Sequence, residues 1–248
     1  MTQTRKTTKF ISMILTLSMI IGVLFIKEVT PVNAAADRVS LYSSTITFAK
    51  YGTTDYEILV RTNDNATDQK VIIHYFFREP YGWAESEASY VTTLDDGSKI
   101  WKASIRSEKC QYAIEYIADG ETFWDNNDGA NYDGTKRIGC APIIANRLGY
   151  ARFSSFGYEV DAILQNYAYC KNVFVRYTTD GWNTYHDQSL GYVNTNADGS
   201  ETWRTYLPVG SSNNYNGFEY AICYQVNGAE FWANNFGSNY DINYCAHQ

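Results

Sequence analysis

The sequence predicts an all-β protein in which two antiparallel β-sandwich domains follow each other behind an N-terminal export segment. Three observations predict this class. A motif rich in aromatic residues and asparagine occurs twice, 108 residues apart. Short runs of β-branched and aromatic residues alternate with turn-forming residues, and no segment has a helical period long enough to predict a helix. Strands at this spacing are typical of sandwiches of about immunoglobulin size.

The first residues have the composition of a signal peptide. Basic residues precede an uncharged, mostly apolar run of 17 residues at 10–26, and small residues follow near Ala34 and Ala36. This order predicts export, with cleavage after one of these two alanines. Because 17 residues are close to the shortest run that can span a bilayer, an uncleaved anchor is the alternative. We therefore assign 1–36 to the signal peptide and 37–248 to the exported protein.

The composition of the exported part indicates what kind of partner it has. It contains 16 basic and 26 acidic residues, a formal net charge of −10, which argues against nucleic acid or an anionic membrane as partner. The chain has 22 Tyr, 12 Phe and 6 Trp, or 16% aromatic residues, more than a core needs. A neutral polymer that is bound by stacking suits this composition better than a charged one.

All five cysteines lie in the exported part, where disulfides can form. The odd count leaves at least one without a partner in the chain, and the sequence does not select among the pairings. The simplest expectation joins Cys110 to Cys140 in the first half and two of Cys170, Cys223 and Cys245 in the second. No C-x-x-C pair or His/Cys cluster indicates a metal, so we expect no metal and no cofactor.

The first repeat, residues 37–140, contains four predicted strands rich in β-branched and aromatic residues. They cover 56–61, 71–77, 100–105 and 112–117. Turn-forming residues separate them, at 63–65, 95–98 and 119–120. This order of strands and turns predicts one antiparallel sandwich.

The second repeat, residues 141–248, follows the first in the same order. The matched stretches are, pairwise, 71–76 with 173–178, 96–98 with 198–200, and 112–116 with 220–224. Such self-similarity predicts a tandem duplication. Ala141 and Pro142 mark the predicted boundary, and so short a connection predicts that the two domains touch.

The repeated motif, at 123–133 and 231–241, has the pattern F-W-x-N-N-x-G-x-N-Y-D. Because successive strand residues face opposite sides, one aromatic of each Phe-Trp pair can enter the core while the other faces solvent. Asn and Gly favour the following turn, and amides can bond a polar ligand. An exposed indole beside fixed amides predicts a sugar platform. The alternative is that both aromatics are core and the asparagines only turn the chain.

The other tryptophans divide into two classes. Trp101 and Trp203 lie in mid-strand after the D-G-S turn, so we predict that both are core residues. Trp83 and Trp182 follow glycines, and we place them in loops. An indole exposed there without a ligand would leave apolar surface in water, which is unfavourable, so a binding function is favoured.

Three stretches of the second repeat resemble carbohydrate-binding module family 21. They are 166–182, which contains V-R-Y-T-x-D-x-W, then 218–224, and 232–240, which contains N-N-x-G-x-N-Y. The first repeat resembles the family more weakly. The resemblance implies an immunoglobulin-like sandwich in each repeat, which binds α-glucan and has no catalytic activity.

The resemblance also implies site residues. The family's first site uses an aromatic in the loop after the V-R-Y-T strand and another just before the Asn pair. These positions hold Trp182 and Trp232 in the second repeat, and Trp83 and Trp124 in the first. A third family aromatic is replaced by Ala221 and Ala113. The motif's polar residues complete the predicted sites: Asn234, Asn235, Asn239 and Tyr240, with Asn126, Asn127, Asn131 and Tyr132.

The family's second site uses a Tyr just before the V-R-Y-T strand and an aromatic in a loop beyond it. Tyr169 matches the first position, and Tyr192 is the nearest candidate for the second. The first repeat has Thr67 in place of the first tyrosine and keeps Tyr90 as the other half. We therefore expect its second site to be weak or absent.

The sequence does not predict an enzyme. A glycosidase needs two carboxylates, but the candidates Asp125 and Asp128 become Ala233 and Phe236 in the second repeat. The same segment lacks the spacing of an EF-hand calcium loop. We expect a secreted protein that binds starch, glycogen and maltooligosaccharides, with a separate amylase or a cell-surface component as further candidate partners, and neither nucleic acid nor, after signal cleavage, a membrane. The alternative is a secreted or surface structural protein that binds another glycan or a protein.

Overall fold

A computed structural model describes residues 38–50, 52–135, 137–146, 153–154, 156–209 and 217–242. The predicted signal peptide and Cys245 lie outside these ranges. Within them the chain forms seventeen β-strands, all pairings between strands are antiparallel, and the single helical element is a 3-10 turn at Asn235–Gly237. The predicted all-β class is confirmed. The described ranges contain no helix long and apolar enough to cross a membrane.

The first half contains two four-stranded sheets. Its strands are β1 (Val39–Lys50), β2 (Thr53–Thr62), β3 (Gln69–Arg78), β4 (Gly82–Glu87), β5 (Ser89–Thr93), β6 (Lys99–Ser107), β7 (Tyr112–Ala118) and β8 (Glu121–Asp125). One sheet has the order β1-β2-β6-β5 and the other the order β4-β3-β7-β8. The four predicted strands are β2, β3, β6 and β7, which lie in the centres of the sheets, where the apolar pattern is strongest.

The second half again contains two sheets. Its strands are β9 (Ile143–Ala145), β10 (Phe153–Ser154), β11 (Gly157–Leu164), β12 (Lys171–Thr178), β13 (His186–Ser189), β14 (Gly191–Thr195), β15 (Glu201–Leu207), β16 (Glu219–Val226) and β17 (Ala229–Ala233). One sheet has the order β10-β11-β15-β14, with β9 also paired to β11, and the other the order β13-β12-β16-β17. The second order places β12, β13, β16 and β17 where the first half has β3, β4, β7 and β8.

Each half packs the apolar faces of its two sheets together as a β-sandwich. In the first half Ile58 of β2 and Ile73 of β3 lie in one buried cluster. In the second half Val160 of β11, Val175 of β12 and Ile222 of β16 lie in another. Burial of each such side chain contributes roughly 1.5–3 kcal/mol, so the alternation of apolar residues along the strands determines which face turns inward.

The two halves contact each other through a small apolar cluster. Ile138, Ala141, Ile144 and Ile163 are buried together, and Tyr42 of β1 packs against them. The ring of Tyr42 also lies 5.9 Å from the ring of Phe236 in the second copy of the repeated motif. The first half therefore touches the loop that carries the second set of predicted asparagines.

The cysteines differ from the expectation. Cys110, Cys140, Cys170 and Cys223 are free thiols, so the predicted bridge between Cys110 and Cys140 is wrong. Cys110 is buried in the core of the first half, and burial raises the pKa of its thiol to about 11. The sulfur of Cys140 instead accepts a hydrogen bond from the hydroxyl of Ser40 at 3.4 Å.

Candidate functional site

The sheet β13-β12-β16-β17 has one face in the core and one face toward solvent. Val173 and Val175 of β12 belong to the buried cluster. Because side chains alternate along a strand, Asn172, Phe174 and Arg176 lie on the opposite face. We call this surface the second-half outer face.

The register of the strands arranges this face in rows. Phe174 lies opposite Cys223 of β16, which lies opposite Trp232 of β17. The next row pairs Arg176 with Ala221. Ala221 occupies the position of the missing third aromatic, and it is only 5% exposed because neighbouring side chains cover it.

Trp232 lies half-buried on the second-half outer face with its orientation fixed. Its indole N–H donates a hydrogen bond of 2.7 Å to Glu230 Oε1. The ring packs edge-on against Phe174 at 5.8 Å, and the guanidinium carbon of Arg176 lies 5.5 Å from the ring centre. These contacts orient the indole before any ligand arrives, which lowers the entropic cost of binding.

Trp182 is held in the loop between β12 and β13, as predicted. Its backbone has φ = 69°, and its N–H donates to Thr178 Oγ1 at 3.0 Å. The indole N–H donates to Glu219 Oε2 at 2.6 Å, and the same oxygen accepts a hydrogen bond of 2.9 Å from the side-chain amide of Asn239. Glu219 thus joins two predicted site residues, although no pattern in the sequence indicated it.

Tyr185 is a further aromatic residue of the second-half outer face that the sequence analysis missed. Its side chain is 56% exposed, and the guanidinium carbon of Arg176 lies 4.4 Å from its ring centre. Arg176 also forms two hydrogen bonds of 2.7 Å to the carboxylate of Asp187. Arg176 therefore contacts both Tyr185 and Trp232, and its own position is fixed by the ion pair.

The asparagines of the repeated motif mainly bond their own loop. Asn126 Oδ1 accepts from Gly129 N at 2.9 Å, and Asn127 Nδ2 donates to Asn131 O at 3.1 Å. The second copy has the same two bonds: Gly237 N to Asn234 Oδ1 at 3.2 Å, and Asn235 Nδ2 to Asn239 O at 3.2 Å. The left-handed residues of both loops include Asn127, Asn131, Asn235 and Asn239, with φ between 51° and 61°. These side chains stabilise the turn that follows the tryptophan of each motif.

The tyrosines that end the motif turn toward the core. Tyr132 is only 7% exposed, stacks on Tyr112 at 5.2 Å, and donates its hydroxyl hydrogen to Asp125. Tyr240 is half-buried and packs against Tyr220 at 5.4 Å. The prediction that Tyr132 binds ligand is therefore wrong, because the chain returns from the Asn loop to pair with β7 and carries the ring inward. Tyr240 follows the same path against β16.

The first half has an equivalent outer face on the sheet β4-β3-β7-β8. Trp83 is 51% exposed and packs edge-on against Phe76 at 6.4 Å. Trp124 is 52% exposed, and its ring centre lies 4.9 Å from that of His74. The Nε2 of His74 lies 2.7 Å from Glu115 Oε2. This first-half outer face thus exposes two indoles beside an imidazole–carboxylate pair.

Trp83 differs from the prediction because it lies on strand β4. It is paired with Phe76 of β3, and the connection between the strands is a tight turn that ends at Gly82, with φ = 72°. In the second half the longer loop 179–185 leaves Trp182 outside the sheet, and Tyr185 precedes β13 at the register position of Trp83. The two Gly-Trp pairs match in sequence, but they occupy different places.

The predicted second site is divided between the two sheets of the second half. Tyr169, just before β12, is 97% exposed. Tyr192 of β14 is 55% exposed and packs edge-on against Trp203 at 6.0 Å. A buried ion pair joins strands β12 and β15 near them, with Lys171 Nζ 2.8 Å from Glu201 Oε2, and Trp203 donates to the same oxygen at 2.9 Å.

The first half repeats one part of this arrangement. Tyr90 is 53% exposed and packs edge-on against Trp101 at 5.9 Å. Trp101 and Trp203 are both half-buried against their cores, in agreement with the prediction.

Asp125, one of the acidic candidates of the first motif, is hydrogen-bonded within the fold. Asp125 Oδ2 accepts from the backbone N–H of Leu41 at 2.7 Å, and the hydroxyl of Tyr132 donates to the same carboxylate. Asp125 therefore anchors strand β1. Across the described ranges, no group of His, Cys, Asp and Glu side chains is placed to hold a metal ion.

Comparison with known proteins finds a family model that matches the segment carrying the second-half outer face. Residues 161–243 match the model of the carbohydrate/starch-binding module (family 21). The chain is 36% identical over 78 residues to Glycogen-binding subunit 76A of Drosophila melanogaster, covering 31% of this chain and 12% of that protein. It is 35% identical over 83 residues to Protein phosphatase 1 regulatory subunit 3C of Xenopus tropicalis, covering 32% of this chain and 35% of that protein. The match therefore spans a minor part of these relatives' length.

The chain overlaps several solved structures, one of them over 92% of its length. It is the starch binding domain of Rhizopus oryzae glucoamylase in complex with beta-cyclodextrin and maltoheptaose, with 22% identity over 37% of this chain and 92% of that chain. Its TM-score is 0.29. The match to the family model therefore confirms the predicted resemblance of the second half to carbohydrate-binding module family 21, and the three stretches that carry it all lie within the matched residues 161–243.

Proposed function

We propose that this chain is a secreted, non-catalytic protein that binds starch- and glycogen-type α-glucans by aromatic stacking. The observation that carries the proposal is Trp232, a partly open indole on the second-half outer face. Its orientation is fixed by Glu230 and Arg176 before a ligand is bound. A platform that is fixed in advance is what a shallow sugar site needs, because flexible ligands lose much entropy on binding.

The neighbouring groups suit the chemistry of a pyranose. The apolar C–H face of the sugar can cover an indole or a phenol ring, and its hydroxyls can both donate and accept hydrogen bonds. On the second-half outer face, Tyr185 and Trp232 both lie next to Arg176, whose guanidinium can donate to hydroxyl oxygens. The carboxylate of Asp187 beside it can accept from hydroxyl hydrogens.

We further propose that residues 37–140 and 141–248 are two tandem modules that both bind glucan. The repeated strand order and the exposed Trp83 and Trp124 on the first-half outer face support this. Two weak sites on one chain make the second contact intramolecular, which raises the apparent affinity about 10²-fold when both can engage. An extended polymer would then be held much more tightly than a short oligosaccharide.

The remaining parts of the proposal rest on sequence and on chemistry. The basic and apolar pattern of residues 1–36 supports secretion, after which a separate amylase or a cell-surface component would be the candidate partner. The structural use of Asp125 supports a non-catalytic role. The matched relatives include a glycogen-binding subunit, which supports glucan binding, and a protein phosphatase 1 regulatory subunit, of which the match covers about a third.

A pull-down against insoluble polysaccharides tests the proposal. The chain should be retained on starch, released by soluble maltooligosaccharide or cyclodextrin, and not retained on cellulose or chitin. Replacing Trp182 and Trp232 together by alanine should remove most of the binding of the second half. The matched control is Phe156→Ala, since Phe156 is 75% exposed and packs against Tyr206 in the other sheet. Retention on cellulose or chitin, or on no polysaccharide, would favour the adhesive alternative.

A further inference from the structure

A groove of about 460 Å³ borders the second-half outer face at a place that none of the predicted sites includes. It lies where β12 begins, beside the hairpin between β16 and β17. Its lining residues are Cys170, Lys171 and Asn172, with the six residues 225–230 of the hairpin. The Asn227-Gly228 turn, with φ of 51° and 79°, forms the outer end of that hairpin.

Three polar side chains cross the groove in one row. Asn172 lies opposite Gln225, and Gln225 lies opposite Glu230. Asn172 Nδ2 donates to Gln225 Oε1 at 2.9 Å, and Gln225 Nε2 donates to Glu230 Oε2 at 2.8 Å. The row therefore presents amides and a carboxylate that are held in place by each other, with Asn172 and Glu230 exposed and Gln225 partly exposed.

This polar row connects two of the predicted aromatic contacts. At one end, Glu230 Oε1 accepts from the indole of Trp232, two residues further along β17. At the other end, Tyr169 directly precedes Cys170 and is 97% exposed. Two strand spacings of about 5 Å and two residues of about 3.3 Å each make this path longer than one sugar ring.

The first half lacks this arrangement. At the register positions of Asn172, Gln225 and Glu230 it has Lys70, Ile117 and Thr122. Ile117 has no hydrogen-bonding side-chain group, and Lys70 is paired with Glu87. Since the first half also has Thr67 in place of Tyr169, the polar row and the terminal tyrosine are present together in one half and absent together in the other.

We propose that the groove is an extension subsite, in which a linear glucan chain bound at Trp232 continues across Asn172, Gln225 and Glu230 to Tyr169. The amides and the carboxylate bind the hydroxyls of successive glucose units, because such groups can accept and donate in the pattern that a sugar edge offers. This inference rests on the proposed function. It adds that the affinity of the second half depends on the length of the glucan chain, whereas the affinity of the first half does not.

The test compares a long linear ligand with a closed ring that cannot extend. Binding of a linear maltooligosaccharide of ten glucose units and of β-cyclodextrin is measured by titration calorimetry on the whole chain, because neither half has been shown to fold alone. Gln225→Ala should weaken binding of the linear ligand about 5- to 10-fold and leave β-cyclodextrin unchanged. Asn172→Ala, at an exposed position away from Trp232, should likewise weaken binding of the linear ligand and leave β-cyclodextrin unchanged.

Thr122→Ala is the matched control, since Thr122 holds the position of Glu230 in the first half. It should change neither affinity. Equal weakening of both ligands in the Gln225 and Asn172 variants, or no effect on the linear ligand, would overturn the extension subsite while leaving the proposed function intact. If the unmodified chain binds neither ligand, the proposed function fails first.

Discussion

Replacement of Trp124 by alanine tests whether the first half binds glucan at all. Trp124 is 52% exposed on the first-half outer face, beside the ring of His74 at 4.9 Å. A sugar that stacks there would cover the open side of the indole, so alanine removes the platform. Trp124→Phe keeps a smaller ring and should lose less.

The expected loss of binding free energy follows from the exposed fraction of the Trp124 side chain. A tryptophan that exposes half of a side chain of about 250 Å² leaves about 125 Å² open, and a sugar on one side covers about half of that. At about 25 cal/mol per Å², the loss is about 1.5 kcal/mol, or about 10-fold in the dissociation constant.

The assay isolates the first half without cutting the chain. Trp182→Ala and Trp232→Ala together silence the second half, and β-cyclodextrin is then titrated by calorimetry. Adding Trp124→Ala should weaken the remaining binding about 10-fold, with Trp124→Phe in between. Thermal unfolding of each variant checks that the fold survives, since the covered half of the indole also contributes to stability. An unchanged dissociation constant would refute the stacking argument for the first half.

Three further predictions concern stability, thiol reactivity and pH. Lys171→Met leaves a buried carboxylate without its cation and should lower the free energy of unfolding by about 3–5 kcal/mol in denaturant titrations. Lys102→Met, at a pair whose lysine is exposed, should change the free energy of unfolding by less than about 1 kcal/mol. Cys170 should react with iodoacetamide at pH 8 before the buried thiols, as followed by mass spectrometry; modification of a buried thiol first would contradict the structure. A hydrogen bond from Gln225 holds the pKa of Glu230 below its ordinary value of 4.5. This carboxylate therefore stays charged as the pH falls to 4.5 and is protonated only at lower pH. Binding of a linear maltooligosaccharide should therefore hold from pH 7 to pH 5 in calorimetry, and a loss already at pH 6 would exclude Glu230 as the titrating group.

The central strands and the chain class could be predicted because they depend on local patterns. The apolar alternation of β2, β3, β6 and β7 identifies strands with one buried face, and the same pattern recurs in the second half. The Asn loops could be predicted for the same reason. Left-handed backbone is available to Asn and Gly at little cost, and both copies of the loop adopt it.

The site could be predicted only in part because its geometry depends on strand register. Trp83 and Trp182 each follow a glycine, yet one lies in a strand and the other in a loop. Tyr185 matches Trp83 only after the pairing of β12 with β13 is known. Glu219 joins Trp182 to Asn239 across loops that are distant in sequence. The spacing of residues along the chain does not indicate these positions and contacts.

The errors have a common physical origin. Tyr132 has the amphipathic side chain expected of a sugar site, but its hydroxyl donates to the carboxylate of Asp125 and its ring stacks on Tyr112. Cys110 and Cys140 share one half, but one thiol enters the core while the other lies beside Ser40. In each case the residue type permitted two environments, and tertiary contacts decided between them.

The most direct test of the account is a titration of ¹⁵N-labelled protein with maltoheptaose, followed through the indole N–H resonances of its six tryptophans. The account predicts that the resonances of Trp182, Trp232, Trp83 and Trp124 shift, and that those of Trp101 and Trp203 stay in place. Shifts confined to Trp101 and Trp203, or none at saturating ligand, would contradict a glucan site on the outer faces of the sheets.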